Sequence, residues 1–359
     1  MENKLTFPDL CKAKKLATGS NRLFIGAYGF EDRSIAWNLM QSSEVSKPIV
    51  TSALLIKYNS PKGKNKIQEL KRLLKLNGVS NSIFEIPYDL YENEDIESVI
   101  ESAISTHAKG YDEVVLDLSA LTKFLVLIIL DKLSKYNIKV RIVYAEALDY
   151  APIYSDYLKA KNKISSVIRF PSRGFGTILR SRSLSSIRMQ GQPVTLVAFT
   201  SFNEQLVRHM LGTISPHKLI FINGSPPHKG FFWRENATLE MHRKLIEEFP
   251  EENEYIKGRL KRTISTLNYH ETIDCIKEIR KIYGLQERII IAVTGSKMQT
   301  VGVFFAKKMF EDLHLEYPTP DSYYISGYST GIKEVHEIVI EDFKSYFITL
   351  NHIGESLFF

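Results

Sequence analysis

Short apolar runs rich in β-branched residues alternate with stretches of helical period along most of the 359-residue chain. "RLFIGAYGFEDRS" (Arg22 to Ser34) is such a run breaking into a polar turn. "SALLIKYNSPKGK" follows with a second strand ending at Asn59-Ser60-Pro61, and "KIQELKRLLKL" then reads as a helix. "IFEIPYDL", an amphipathic segment from Ile96 to His107, "EVVLDLS" with its apolar helix, and "KVRIVYAEA" complete the series. Continuous apolar strands alternating with helices predict βαβ units and a mostly parallel sheet covered on both faces.

The second half repeats the order. "VTLVAFTSFNEQ" (Val194 to Gln205) opens it, and "HKLIFINGSPPHK" places Asn223-Gly224-Ser225-Pro226 where Asn59-Ser60-Pro61 stood. Helices are expected near Leu239 to Glu248 and near Ile273 to Tyr283. "RIIIAVTGSK" with its helix and "SYYISGYSTG" close the copy. The expected architecture is therefore α/β: two tandem Rossmann-like domains, each a mostly parallel sheet flanked by helices, related by internal duplication. The boundaries fall at residues 1–149 and 193–359, with a basic linker at 150–192. After Thr330 a short tail adds one strand, "EIVIEDF", and belongs to the second domain in this reading.

Composition narrows the class. An apolar content of 44% with 25% charged residues is that of a folded globular chain. The greasiest run, Phe124 to Leu130, is shorter than the roughly 18 residues a membrane span needs. The first residues carry no basic-then-apolar targeting pattern, so a cytoplasmic protein without a membrane partner is expected. Two cysteines, Cys11 and Cys275, make no disulfide framework. A net charge of +6 suits an anionic partner.

In open parallel sheets, ligands bind beyond the carboxyl ends of the strands, where helix N-termini present backbone N–H groups. The polar turns fall at such ends. Tyr28, Asn59, Ser119, Thr122 and Lys123 are the ligand-binding candidates of the first half. Ser201, Asn203, Asn223, Ser225, Thr294, Gly295, Ser296 and Lys297 are those of the second. Hydroxyls and amides donate to phosphate oxygens, lysine supplies a point charge, and asparagine reads a base edge. A lysine in the first helical turn opposes the helix dipole, a cost recovered when an anion lies between them. The competing reading has Lys123 and Lys297 reaching solvent or a carboxylate. Glu31-Asp32-Arg33 and Glu204 have two readings as well, a ribose or acid–base role and an acidic helix cap.

Other chemistry is not indicated. Thr294-Gly295-Ser296-Lys297 lacks the glycine spacing of a Walker loop, and no G-x-G-x-x-G follows either first strand. No cofactor is expected. His217, His228, His242 and His270 are too widely spaced for a zinc site, so no metal is expected either. The linker arginines Arg169, Arg173, Arg180, Arg182 and Arg188 either contact nucleic acid or an acidic partner, or lie solvated between the domains.

"AVTGSKMQTVG" is similar to the T-G-G-[ST]-K motif of CRISPR-associated Rossmann fold (CARF) domains, matching at Ser296 and Lys297 and lacking the second glycine. "LDLSALTKF" is a weaker match through Ser119, Thr122 and Lys123. Tyr28 and Ser201 fall where that family contacts its ligand. Through these short motifs the chain resembles CARF sensors and their fused double form, the SAVED domains. The resemblance implies a nucleotide second-messenger binding protein of a prokaryotic antiviral defence system. Its ligand would be a nucleotide or a cyclic oligonucleotide, held in a pseudo-symmetric site within one chain. With no recognisable effector domain attached, signalling would pass to a separate effector protein. The alternatives are a metal-independent phosphodiester-cleaving enzyme of ring-nuclease type, and a nucleic-acid-binding or scaffold subunit of a defence complex.

Overall fold

The computed structural model describes residues 6–42, 48–59, 65–79, 83–89, 95–160, 171–248, 263–325 and 328–356. The chain divides into two compact units, Met1–Tyr150 with Gly327–Thr349, and Ala151–Ser326 with Leu350–Phe359. Both are α/β, with mostly parallel sheets flanked by helices.

In the first unit the parallel strands are β1 (Arg22–Ala27), β2 (Ser52–Tyr58), β3 (Ile83–Tyr88), β4 (Glu113–Asp117) and β5 (Lys139–Ala145). They lie side by side in the order β3-β2-β1-β4-β5. Helices α1 (Ala36–Gln41), α2 (Ile67–Leu76), α3 (Ile96–His107) and α4 (Lys123–Leu133) connect them. Helix α4 is buried along its whole length from Phe124 to Leu133, which explains why its sequence shows no polar face. Trp37 of α1 is fully buried and stacks on Phe24 of β1, ring centroids 5.5 Å apart. Around them Tyr28, Leu55, Leu70, Leu73 and Val115 form the core. Each fully buried aliphatic or aromatic side chain of this kind contributes roughly 1.5–3 kcal/mol.

The second unit has β6 (Val194–Phe199), β7 (Lys218–Ser225), β8 (Thr263–Ser265), β9 (Arg288–Ala292) and β10 (His314–Pro318). Their order is β8-β7-β6-β9-β10, all parallel, with Ile178–Leu179 added antiparallel at the edge. The helices are α5 (Tyr154–Lys159), α6 (Gln205–Ile214), α7 (Trp233–Glu248), α8 (Tyr269–Tyr283) and α9 (Lys297–Met309). Numbered within its own unit, each parallel set runs third, second, first, fourth, fifth. Leu196, Met210, Phe221, Leu245 and Ile290 lie in the core of this unit.

Three expectations are corrected. "SYYISGYSTG" does not supply the fifth strand of the second half; His314–Pro318 does. Among its described residues the stretch gives only two-residue bridges, Ser322–Tyr323 with Ser172–Arg173 and Ser329–Thr330 with Asp149–Tyr150. The tail strand β11 (Val335–Ile340) pairs antiparallel with β5, so it extends the sheet of the first unit and not the second. Cys11–Lys12 pairs antiparallel on its far side. The 150–192 segment is likewise not a separate linker: its described residues 151–160 and 171–192 lie in the second unit. Helix α10 (Phe343–Ser356) ends the described chain. Among the described residues, no helix is long and apolar enough to cross a membrane.

Candidate functional site

The polar loops at the carboxyl ends of β1 and β4 meet in the first unit. A Cβ on Gly29 would lie 2.7 Å from Cβ of Ser34 and 2.8 Å from Cβ of Ala120, so only glycine allows the two loops this approach. Beyond it, Glu31 and Arg33 form a buried two-pronged ion pair, at 2.7 Å through Nε and 3.0 Å through Nη2. Arg33 Nη1 also donates to the Tyr144 hydroxyl at 3.2 Å, and its guanidinium stands 5.7 and 5.5 Å from the Tyr144 and Tyr150 ring centroids. The Ser329 hydroxyl donates to the Glu31 carboxylate. Burial, with the neighbouring Tyr150 hydroxyl, raises the Tyr144 phenol above its ordinary range. Asp32 accepts the Gly331 N–H at 2.8 Å and pairs with Lys66 at 3.0 Å, which together lower its pKa. Glu31-Asp32-Arg33 thus holds loops together, more than an acidic cap would.

After β4 the chain turns through Ser119, Thr122 and Lys123. The Ser119 N–H donates to Asp117 Oδ1 at 2.8 Å, and Ser119 Oγ accepts the Ala145 N–H at 3.0 Å. Thr122 caps α4 by accepting the Leu125 N–H at 3.3 Å. Its own N–H donates to the Tyr58 hydroxyl at 3.0 Å, and that hydroxyl donates to the Ala120 carbonyl at 2.9 Å. The turn is built by these bonds before any ligand is considered. Lys123 then begins the helix, half-buried. Desolvation pushes its ammonium pKa down to about 7. The N-terminal dipole of α4 acts in the same sense, against a positive charge. Tyr28 is fully buried and donates to Glu85 at 2.7 Å, and Asn59 is exposed and donates to Asp89 at 3.2 Å.

The matching turn of the second unit is tied more tightly. Thr294 Oγ1 donates to the Phe199 carbonyl at 2.7 Å and accepts the Phe199 N–H at 2.9 Å, stitching β9 to β6. A Cβ on Gly295 would fall 2.4 Å from Gln299 Oε1 and 2.9 Å from the Phe199 ring. Ser296 caps α9 in a reciprocal box: its Oγ accepts the Gln299 N–H at 3.0 Å, while Gln299 Oε1 accepts the Ser296 N–H at 2.8 Å. Ser296 Oγ also donates to the Thr266 carbonyl at 2.6 Å. Lys297 follows, half-buried. The Ser-x-x-Gln spacing is the signature of a capping box, and reading it would have assigned the turn a structural role from sequence.

The remaining polar candidates of this unit also make internal bonds. Asn223 Oδ1 accepts from the hydroxyls of Thr200 at 2.5 Å and Thr238 at 3.0 Å, and its Nδ2 donates to the Glu235 carbonyl at 3.2 Å. Ser201 Oγ accepts the Asn203 N–H at 3.3 Å, and Asn203 Nδ2 donates to the Gly174 carbonyl at 3.0 Å. The Ser225 carbonyl accepts the Thr266 N–H at 2.9 Å. Glu204 pairs with Arg208 at 3.4 Å. Near these turns lies an aromatic group that sequence reading overlooked. Tyr157 stacks on Trp233 with centroids 4.9 Å apart, Tyr154 is exposed beside them, and Arg234 stands 4.7 Å from the Phe202 ring centroid.

Of the linker arginines, Arg180 pairs with Glu316 and Arg188 with Glu311, each at 2.9 Å. Arg173 and Arg182 are exposed, and Arg169 lies outside the described residues. Half of the described arginine charge is therefore already balanced by carboxylates.

No family model matches the sequence, and no curated protein matches it. A solved structure of the cytoplasmic domain of a prokaryotic cation chloride cotransporter aligns over 86% of this chain and 98% of its own, at 11% identity and a TM-score of 0.23. At that score the alignment carries no argument about fold or function.

Proposed function

We propose that the protein binds an anionic nucleotide, in the manner of the CARF sensors its motifs resemble, at the carboxyl ends of the parallel strands of the first unit. Lys123 carries the reading. Its ammonium is opposed by desolvation and by the α4 dipole, and a phosphate beside it would relieve both. Ser119 and Thr122 shape the turn by bonding to the protein, so the recognition assigned to them is through the backbone they fix. The exposed Tyr154 beside the half-buried Trp233 in the second unit supports the same ligand class, since a base stacks on such aromatic faces. In this reading the two units are diverged copies. The shared strand order and the recurrence of strand, polar turn, lysine and helix at α4 and α9 support that. The role is that of a second-messenger binding protein of prokaryotic antiviral defence, signalling to a separate effector.

One observation favours a second reading. An amine with a pKa of about 7 suits general acid–base work at neutral pH, so turnover of a bound phosphodiester is the alternative at the same residue.

The test is a thermal-shift and calorimetric screen of the full chain against mononucleotides and linear and cyclic oligonucleotides, with Lys123→Met beside it. A ligand at about 100 times its dissociation constant adds roughly 2.7 kcal/mol, a shift of several degrees. The expected result is such a shift in the wild type and its loss in Lys123→Met. Chromatography of the ligand afterwards separates binding from turnover. No shift with any nucleotide would sink the reading. A shift that survives Lys123→Met and falls steeply with salt would move the contact to Arg173 and Arg182.

A further inference from the structure

We infer that Glu146, Glu334 and His336 form a site for a divalent transition-metal ion of the zinc type in the first unit. None of the four histidines weighed from sequence takes part; the histidine is on β11, and its partners come from the ends of two paired strands. The antiparallel register of β11 on β5 sets Val335 opposite Ala145 and His336 opposite Tyr144. Continuing one step, the Glu146 N–H donates to the Glu334 carbonyl at 2.8 Å, and the Lys333 N–H to the Glu146 carbonyl at 2.9 Å. Backbone pairing thus fixes two carboxylates side by side, an arrangement that like charges oppose and a cation between them favours.

His336 supplies the third donor. Its Nε2 lies 2.7 Å from Glu146 Oε1 and 3.9 Å from Glu334 Oε2. All three donor atoms lie within 4.8 Å of one another. A tetrahedral ion bonded at about 2.0–2.1 Å to nitrogen and oxygen separates its ligands by roughly 3.3 Å. The two separations from His336 Nε2 lie on either side of that value. Imidazole with two carboxylates selects zinc, cobalt or manganese over the oxygen-seeking magnesium and calcium.

Burial and charge agree with that assignment. Glu146 and His336 are 5% and 8% exposed, whereas Glu334 is half-buried and gives the side of approach. Lys12 Nζ holds Glu334 Oε1 at 2.6 Å and is itself exposed. Glu334 can keep that bond while Oε2 turns to the ion, which makes Lys12 an outer partner orienting a metal-bound carboxylate. Two carboxylates converge on one imidazole, and a divalent cation seated among them would offset their charge. The three protein donors leave a fourth position for solvent or a ligand atom.

Calorimetry on the chelator-stripped full chain tests this with Zn²⁺, Mn²⁺ and Mg²⁺, and visible absorption with Co²⁺. Expected are one Zn²⁺ per chain, a thermal shift of several degrees, a Co²⁺ spectrum of low coordination number, and little response to Mg²⁺. Glu334→Gln, at a half-buried position, should weaken Zn²⁺ by more than about a hundredfold, beyond the roughly 10–100-fold effect of removing an outer partner alone. His336→Gln should do the same. Absence of Zn²⁺ and Co²⁺ binding, or binding unchanged in both variants, would overturn the assignment and leave a histidine–carboxylate pair that only ties β11 to β5.

Discussion

Glu113→Ala is expected to destabilise the first unit by about 3–5 kcal/mol, the range for breaking a buried ion pair from one side. Glu113 accepts Arg22 Nε at 2.6 Å through one carboxylate oxygen and Arg141 Nε at 2.8 Å through the other. Arg141 continues to Glu337 at 2.8 Å, and Arg22 Nη1 donates to the carbonyls of Ala17 at 2.8 Å and Ile49 at 3.1 Å. All four charged residues are buried. The chain of charges crosses β1, β4, β5 and β11, so one carboxylate holds two largely buried guanidiniums. Urea denaturation is the readout. Glu113→Gln keeps the shape and loses the charge, so it should fall between wild type and alanine. A midpoint within experimental error of wild type for Glu113→Ala would show that the two arginines find other partners.

Lys123→Met is expected to stabilise the protein at neutral pH by a few kcal/mol, below the about 5 kcal/mol that the full shift from 10.5 to about 7 is worth at 1.36 kcal/mol per unit, since the half-buried ammonium keeps part of its hydration. The folded-state pKa lies below the unfolded one, so between these values the unfolded chain binds more protons. Stability in the wild type therefore rises with pH from about 7 to about 10.5, and the charge is least tolerated below that window. Methionine matches the length of the side chain without the charge. The difference between variant and wild type should be large at pH 7 and shrink toward pH 10. Subtraction cancels other groups titrating in the same range, Lys307 among them, whose pKa burial lowers to about 8. A constant difference across that range, or a less stable variant at pH 7, would mean that the Lys123 ammonium is not penalised in the fold.

These two residues also mark how much the sequence discloses. The strand–turn–helix units are legible because apolar runs such as "FLVLIIL" are local, and so is the lysine that opens α4. Strand β10 is not, because His314 and Glu316 make it read as polar. In the fold they are buried and bonded to each other at 3.2 Å, with Arg180 on Glu316. The tail strand is visible as "EIVIEDF", but its partner is not, since register with β5 is a property of the whole sheet. The cluster around Arg33 escapes for the same reason: Tyr144 lies 111 residues from Arg33, and Ser329 lies 298 from Glu31. In the second unit the sequence signal at Thr294 to Lys297 is real but ambiguous. Hydroxyls and a glycine before a lysine look like a phosphate turn, yet a capping box and a strand stitch use the same residues.

The most direct measurement is the titration of the Lys123 amine by NMR of ¹³Cε-labelled lysine, assigned with Lys123→Met, with and without the nucleotide that gives the largest thermal shift. The account predicts an amine titrating near 7 in the free protein, and moved up by at least about one unit once a phosphate neutralises its surroundings. An amine titrating near the ordinary lysine value, about 10.4, or one whose pKa is indifferent to the bound nucleotide, would contradict the account.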